Sequence, residues 1–173
     1  MKAAADRLIA LDGINGLALG VRARAIASDR RQERPAISVW DASGIFSEVQ
    51  LATVGAGDPS ARTLLLLYAA DLAYRVRAEI KPALDAGRLV IAAPYVDTAI
   101  ALGHATGLDA GWVSRILSFA PVPLRRELIE APPEDAIGDR RGLVEFCCRQ
   151  LFGDDELTRL DLIARTNAQL RRP

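Results

Sequence analysis

The 173-residue sequence has few of the side chains that carry metal or thiol chemistry. It contains two cysteines and one histidine. Cys147 and Cys148 are neighbours in a helical stretch, which excludes both a disulfide framework and a zinc site. They read as thiols of a reducing cytoplasm, at least one of them buried. His104 has no second histidine and no Cys or Asp cluster beside it, so no metal and no cofactor is expected. Charge of one sign is also missing: 22 basic residues face 22 acidic ones. That balance removes any global attraction to nucleic acid or to an anionic membrane, leaving only local patches. No apolar run approaches the roughly 18 residues of a membrane span. The start, "MKAAADRLIALDG", has too short an apolar segment for a secretory signal and carries acids within it. With no internal repeat and no low-complexity linker, residues 1–173 are expected to form one cytoplasmic domain.

What is there alternates between strands and helices. "RLIALD" (Arg7 to Asp12) reads as a short buried strand, "AISVW" (Ala36 to Trp40) and "GRLVIAA" (Gly87 to Ala93) as a second and a third strand, with a weak fourth at "ELIEA" (Glu127 to Ala131). A helix from about Leu17 to Asp29 should place Leu17, Val21, Ala25 and Ile26 near one face. Ile45, Phe46, Val49 and Ala52 spell a short amphipathic helix after the turn Asp41–Ala42–Ser43–Gly44. A long helical pattern starts at Ser60, and Pro82 should kink or end it. Tyr95 to Ala105, Asp109 to Ala120, Arg141 to Phe152 and Asp154 to Arg171 complete the helices, the last capped by Asp154. Such alternation implies an α/β fold, a parallel sheet covered on both faces.

The segment "LIALDGINGLALG" opens as a phosphate-binding turn should, with an apolar strand, an acid and then glycines leading into a helix. A working loop needs G-x-x-x-x-G-K-S/T, so that backbone N–H groups cradle phosphates, Lys reaches the terminal one and a hydroxyl holds Mg²⁺. Here Ala18, Leu19, Gly20 and Val21 stand where Gly, Lys and the hydroxyl residues belong.

That opening, together with "LLLLYAADLAYRVRAEIKPALDAGRLVIAAPYVDTAIALGHATGLDAGWV", resembles the thymidylate (dTMP) kinase family. The family carries a loop of the form F/I-x-x-E-G-x-D-G-x-G-K-S/T, then LLFAADRAQH, an I-x-PAL-x-x-G turn, a strand and DRY-x-x-S. The likeness runs from about residue 7 to 120 and fades by Pro133. It implies a three-layer α/β/α P-loop NTPase fold with a short parallel sheet, a helical C-terminal part and no evident last strand. It also implies where function would sit. Gly13, Asn15, Gly16, Leu19 and Gly20 align with the phosphate loop, Asn15 replacing its Asp. Ala93 and Pro94 replace the Asp-Arg of DRY, leaving Tyr95. Leu72 replaces the Arg that clamps dTMP; Leu102 and Gly103 replace the Tyr and Gln near the base. Tyr68 is the one aromatic retained for stacking. "DRR" (Asp139 to Arg141) resembles only faintly the arginine-bearing lid.

Every departure falls on a functional position. Phosphoryl transfer depends on cations and Mg²⁺ that neutralise the transferring group, and loss of one such group costs on the order of 10²–10³ in rate. The replacements turn a cationic pocket apolar, where polyphosphate would be buried without partners. The bland reading makes Leu19, Val21, Leu72 and Leu102 core or interface residues, Tyr68 core, Gly13 and Gly16 turn glycines, and Asp97 a cap or a solvated acid. The sequence therefore points to a thymidylate-kinase-like interaction or regulatory module without catalysis. Two alternatives are a kinase using displaced basic residues (Arg22, Arg24, Arg125, Arg140 or Arg141) and a binder of a small neutral ligand. The family's two-fold dimers, and the spread of Leu64, Leu65, Leu66 and Leu67 round a helix, lead to the expectation of a homodimer or a heterodimer with a related chain through the long helix.

Overall fold

A computed structural model describes residues 7–49 and 57–172. Four strands form one parallel sheet in the order β2-β3-β1-β4: β1 is Leu8–Asp12, β2 Ala36–Val39, β3 Val90–Ala93 and β4 Arg125–Leu128. The two central strands, LIALD and VIAA, are buried along their whole length, as parallel strands covered on both faces must be. Alternation then divides the core. Leu8, Ala10, Val90 and Ala92 face the larger cluster, whereas Ile9, Leu11, Ile91 and Ala93 face a smaller one.

Helix α1 (Gly16–Asp29) supplies the helical side of the smaller cluster through Leu19, Ala23 and Ile26. The larger cluster is built from α2 (Ala61–Arg75), α3 (Lys81–Asp85), α4 (Val96–Ala105), α5 (Ala110–Leu117), α6 (Leu143–Phe152) and α7 (Glu156–Leu170). This is the expected three-layer α/β/α arrangement, with one layer only a single helix deep among the described residues.

Several local expectations need correction. The buried stripe of α1 is Leu19–Ala23–Ile26, at spacings of four and three, while Leu17 and Val21 are exposed. Val21 is therefore not a core residue. β4 begins two residues before "ELIEA", because its register is set by β1: Ile9 lies opposite Arg125 and Asp12 opposite Leu128. Pro82 does not end the long helix. The chain widens into a π-helical turn at Val76–Ile80 and continues as α3, which accommodates a residue without an N–H. Asp155, not Asp154, caps α7, accepting from the Thr158 backbone N–H at 3.2 Å. Residues 45–49 are helical, whereas Ala52 lies outside the described residues.

Candidate functional site

β1 ends at Asp12, where an α/β sheet presents its strand ends to a ligand. The carboxylate is consumed internally. Its Oδ1 accepts from the Tyr95 N–H (3.0 Å), the Thr98 N–H (2.8 Å) and the Thr98 hydroxyl (2.7 Å), thereby serving the N-terminus of α4 from a neighbouring strand. The Gly13 N–H in turn donates to Thr98 Oγ1 at 3.0 Å. Burial, reinforced by the nearby Asp97 charge, raises the Asp12 carboxyl above its ordinary value against these hydrogen bonds. Asp97 itself sits in the first turn of α4 and pairs with Arg126 at 2.7 Å.

Asn15 is the N-cap of α1. Its Oδ1 accepts from the Ala18 N–H at 2.8 Å, and its Nδ2 donates to the Asp135 carbonyl at 2.7 Å. The helix thus starts directly at Gly16, and its first N–H groups are the donors that a helix N-terminus offers to an anion. A protein carboxylate takes them. Asp139 Oδ2 accepts from the Gly16 N–H at 2.6 Å and from the Leu17 N–H at 3.2 Å, while Oδ1 accepts from the Arg141 N–H at 3.0 Å. The backbone of residues 141–142 closes over the same spot. A Cβ placed on Gly16 would lie 2.2 Å from the Arg141 carbonyl oxygen, so only glycine fits. The Trp40 indole N–H donates to that carbonyl at 2.8 Å. Trp40, Phe46 and Phe146 stack edge to face with ring centres 5.1–5.5 Å apart and pin the segment from its other side.

The remaining aligned positions are equally self-contained. Leu19 is buried in the smaller core, and Leu72 and Leu102 in the larger one. Gly103 is tight against Val113 and Leu65, where an added Cβ would meet side-chain carbons at 2.8 and 2.9 Å. Tyr68 is fully buried, and its hydroxyl donates to the Pro94 and Tyr95 carbonyls; it presents no stacking face to a ligand. Tyr95 is buried too and donates to the Pro121 carbonyl at 2.8 Å. Burial pushes both phenols well above the usual range.

Two polar residues of α2 carry structure that the alignment did not single out. Asp71 accepts from the Asp41 N–H, the Ser43 N–H and the Ser43 hydroxyl at 2.8–3.0 Å, holding the turn after β2 in which Asp41 adopts φ 59°. Arg75, fully buried one turn later, donates to the Ser38 carbonyl and hydroxyl and to the Pro94 carbonyl at 2.9–3.1 Å, tying β2 to the end of β3. The available signal was an acid and a base four residues apart in an otherwise apolar helix. Of the displaced basic residues, Arg22 and Arg125 both pair with Glu127. Arg24, Arg140 and Arg141 instead line a shared cleft of ≈ 320 Å³ beside Trp40, Ala93 and Pro94. Among the described residues no group of His, Cys, Asp and Glu is placed to hold a metal ion. No helix among them is long and apolar enough to cross a membrane.

No family model matches the chain. It is 34% identical over 125 residues to a thymidylate kinase of Synechococcus sp. (strain RCC307), covering 65% of this chain and 59% of that protein. It is 40% identical over 72 residues to a probable thymidylate kinase of Pyrococcus abyssi, covering 42% and 35%. The chain thus spans between about a third and three fifths of the length of these curated relatives. The crystal structure of thymidylate kinase from Ehrlichia chaffeensis superimposes with a TM-score of 0.61 at 17% identity, covering 76% of this chain and 80% of that one.

Proposed function

Sequence relatives and fold together support the thymidylate kinase family and a P-loop kinase-like fold for this chain, and from that premise we propose that it has given up phosphoryl transfer and serves as a non-catalytic interaction or regulatory module. The observation that carries this reading is the Asp139 carboxylate on the Gly16 and Leu17 N–H groups. A helix N-terminus that already holds a carboxylate has no free donors for a nucleotide phosphate, and its charge repels one. Burial of Leu19 supports the same reading. The side chain at the loop-lysine position is committed to the core with Ile9, Leu11 and Ile91, at a gain of roughly 1.5–3 kcal/mol for full burial.

The test is coupled ADP release from purified protein with dTMP and ATP–Mg²⁺. No turnover is expected, and turnover within the usual kinase range of about 1–100 s⁻¹ would overturn the reading. Leu19→Lys alone is expected to leave the protein inactive, because Ala93, Pro94 and Leu72 still replace the other charged groups and grouped catalytic residues act together.

The interaction proposed is with a second copy or a related chain through α2. Leu64 and Leu65 are buried within the chain and Leu67 is half-buried, whereas Leu66 and Tyr74 remain 48% and 47% exposed. With the exposed Ala70 and Ala73 between them, they form the outward stripe of the helix that a two-fold axis would bury against its copy.

A further inference from the structure

The outward stripe of α2 is bounded at both ends by charge of one sign. Arg62, Leu66, Ala70, Ala73 and Arg77 recur at spacings of four, four, three and four, and all five are exposed. Arg77 stands in the π-helical turn that prolongs the helix. The acids of the same stretch are engaged within the chain. Asp71 is spent on the turn after β2, and Glu79 accepts from the Ser38 hydroxyl at 2.6 Å. The Arg62 guanidinium lies over the Trp112 ring, 4.6 Å from its centre, and Asp109 caps α5 through the Trp112 N–H at 2.7 Å. Asp58 precedes the helix, and beyond Arg77 come Lys81 and Asp85, one of each sign. Among the described residues neither Arg62 nor Arg77 makes a salt bridge.

A two-fold axis makes a contact in which residue i meets j and j meets i. If the helices run antiparallel, each Arg62 end meets an Arg77 end; if they run parallel, each end meets itself. Either way the apolar centres match and cation opposes cation. Like charges set against each other are a means by which an interface rejects one partner in favour of another. We infer that this stripe fits a partner other than a second copy: a helix of a related chain with a small apolar centre and an acidic residue at each end. The inference rests on the reading that α2 is the interface, and it chooses between the two partners that this reading leaves open. Self-pairing through Leu66 and Tyr74 remains available at micromolar concentration and is the weaker of the two.

The probe is this chain carrying Arg62→Glu and Arg77→Glu, labelled with a fluorophore at its amino terminus. Fluorescence-detected sedimentation gives its dissociation constant with unlabelled wild type and with unlabelled probe, and labelled wild type gives the remaining like pair. At low salt the mixed pair is expected to be about tenfold tighter than either like pair. The preference should vanish at about 1 M salt, where charges are screened within about 3 Å. Arg77→Gln, which leaves Arg62 on Trp112, is a second variant that should pair with itself more tightly than the wild type does at low salt. Equal constants for mixed and like pairs, a preference that survives high salt, or an Arg77→Gln pair no tighter than the wild type would overturn the inference while leaving an α2 dimer in place. No association of any of these species would remove the α2 interface itself, and the inference with it.

Discussion

At the scale of single residues, the site is defined by buried polar groups that have found partners inside the chain. Asp12 is the sharpest case. Because burial raises its carboxyl, the folded protein keeps this proton at pH values where the unfolded chain has already lost it. The stability that Asp12 contributes is therefore full below the ordinary carboxylate value and falls as pH rises through the raised one. Asp12→Asn keeps an acceptor oxygen for Tyr95 and Thr98 without the charge, so it should lack this slope. Urea unfolding over mildly acid to neutral pH is expected to show the wild type losing ground to the variant as pH rises. Asp12→Ala strands buried donors at about 1–3 kcal/mol each and should be destabilised at every pH. Gly16→Ala forces a methyl against a backbone carbonyl 2.2 Å away. It should lower stability by about 1–3 kcal/mol, and should also displace the 139–142 segment, read as a shift in Trp40 fluorescence. The two thiols are similarly sequestered. Burial raises Cys147 well out of reach and pushes Cys148 up to about 12, so neither should react with a thiol reagent near neutral pH until the protein is unfolded.

At the scale of elements, β1 and β3 were legible as short apolar runs bounded by turn residues, although β3 starts at Val90 rather than Gly87; β2 lies where expected, but as an edge strand it buries only Ser38. β4 was displaced because three of the four residues of its own sequence, RREL, are charged; pairing with β1, rather than hydropathy, defines its ends. The face of α1 was misread for a related reason. Ala18, Leu19, Ala23, Ala25 and Ala27 give little contrast around the helix, and the sheet selects Leu19 and Ala23. The Asp139 contact was beyond reach of local patterning, since it joins residues 123 positions apart. α2 illustrates the element-scale consequence. Its Asp71 and Arg75 fasten the turn after β2 and the ends of β2 and β3, so the helix acts as a clamp on the cleft. Asp71→Ala should release the Asp41–Gly44 turn and cost about 2–4 kcal/mol, whereas Asp71→Asn, which retains an acceptor, should cost less; thermal unfolding distinguishes them.

For the whole molecule, the proposed association is checked by light scattering at micromolar concentration. A mass twice 18.6 kDa is expected, and 18.6 kDa would refute the dimer. Leu66→Arg on the exposed stripe should then give monomers of unchanged fold, because the residue lies outside the chain's own core. The sheet has a further consequence, for the time course of folding. Every ladder is parallel, and Leu8 waits for Val90 while Ile9 waits for Arg125. Among the described residues no hairpin is present to nucleate the sheet locally, so loop closure must precede reward, and refolding should occupy milliseconds to seconds rather than microseconds. During synthesis β1 is made before either of its partners and stays an unpaired, apolar segment at least until Val90 has followed. Residues 8–11 are therefore an apolar stretch that a chaperone would have to shield until their partner strand is made.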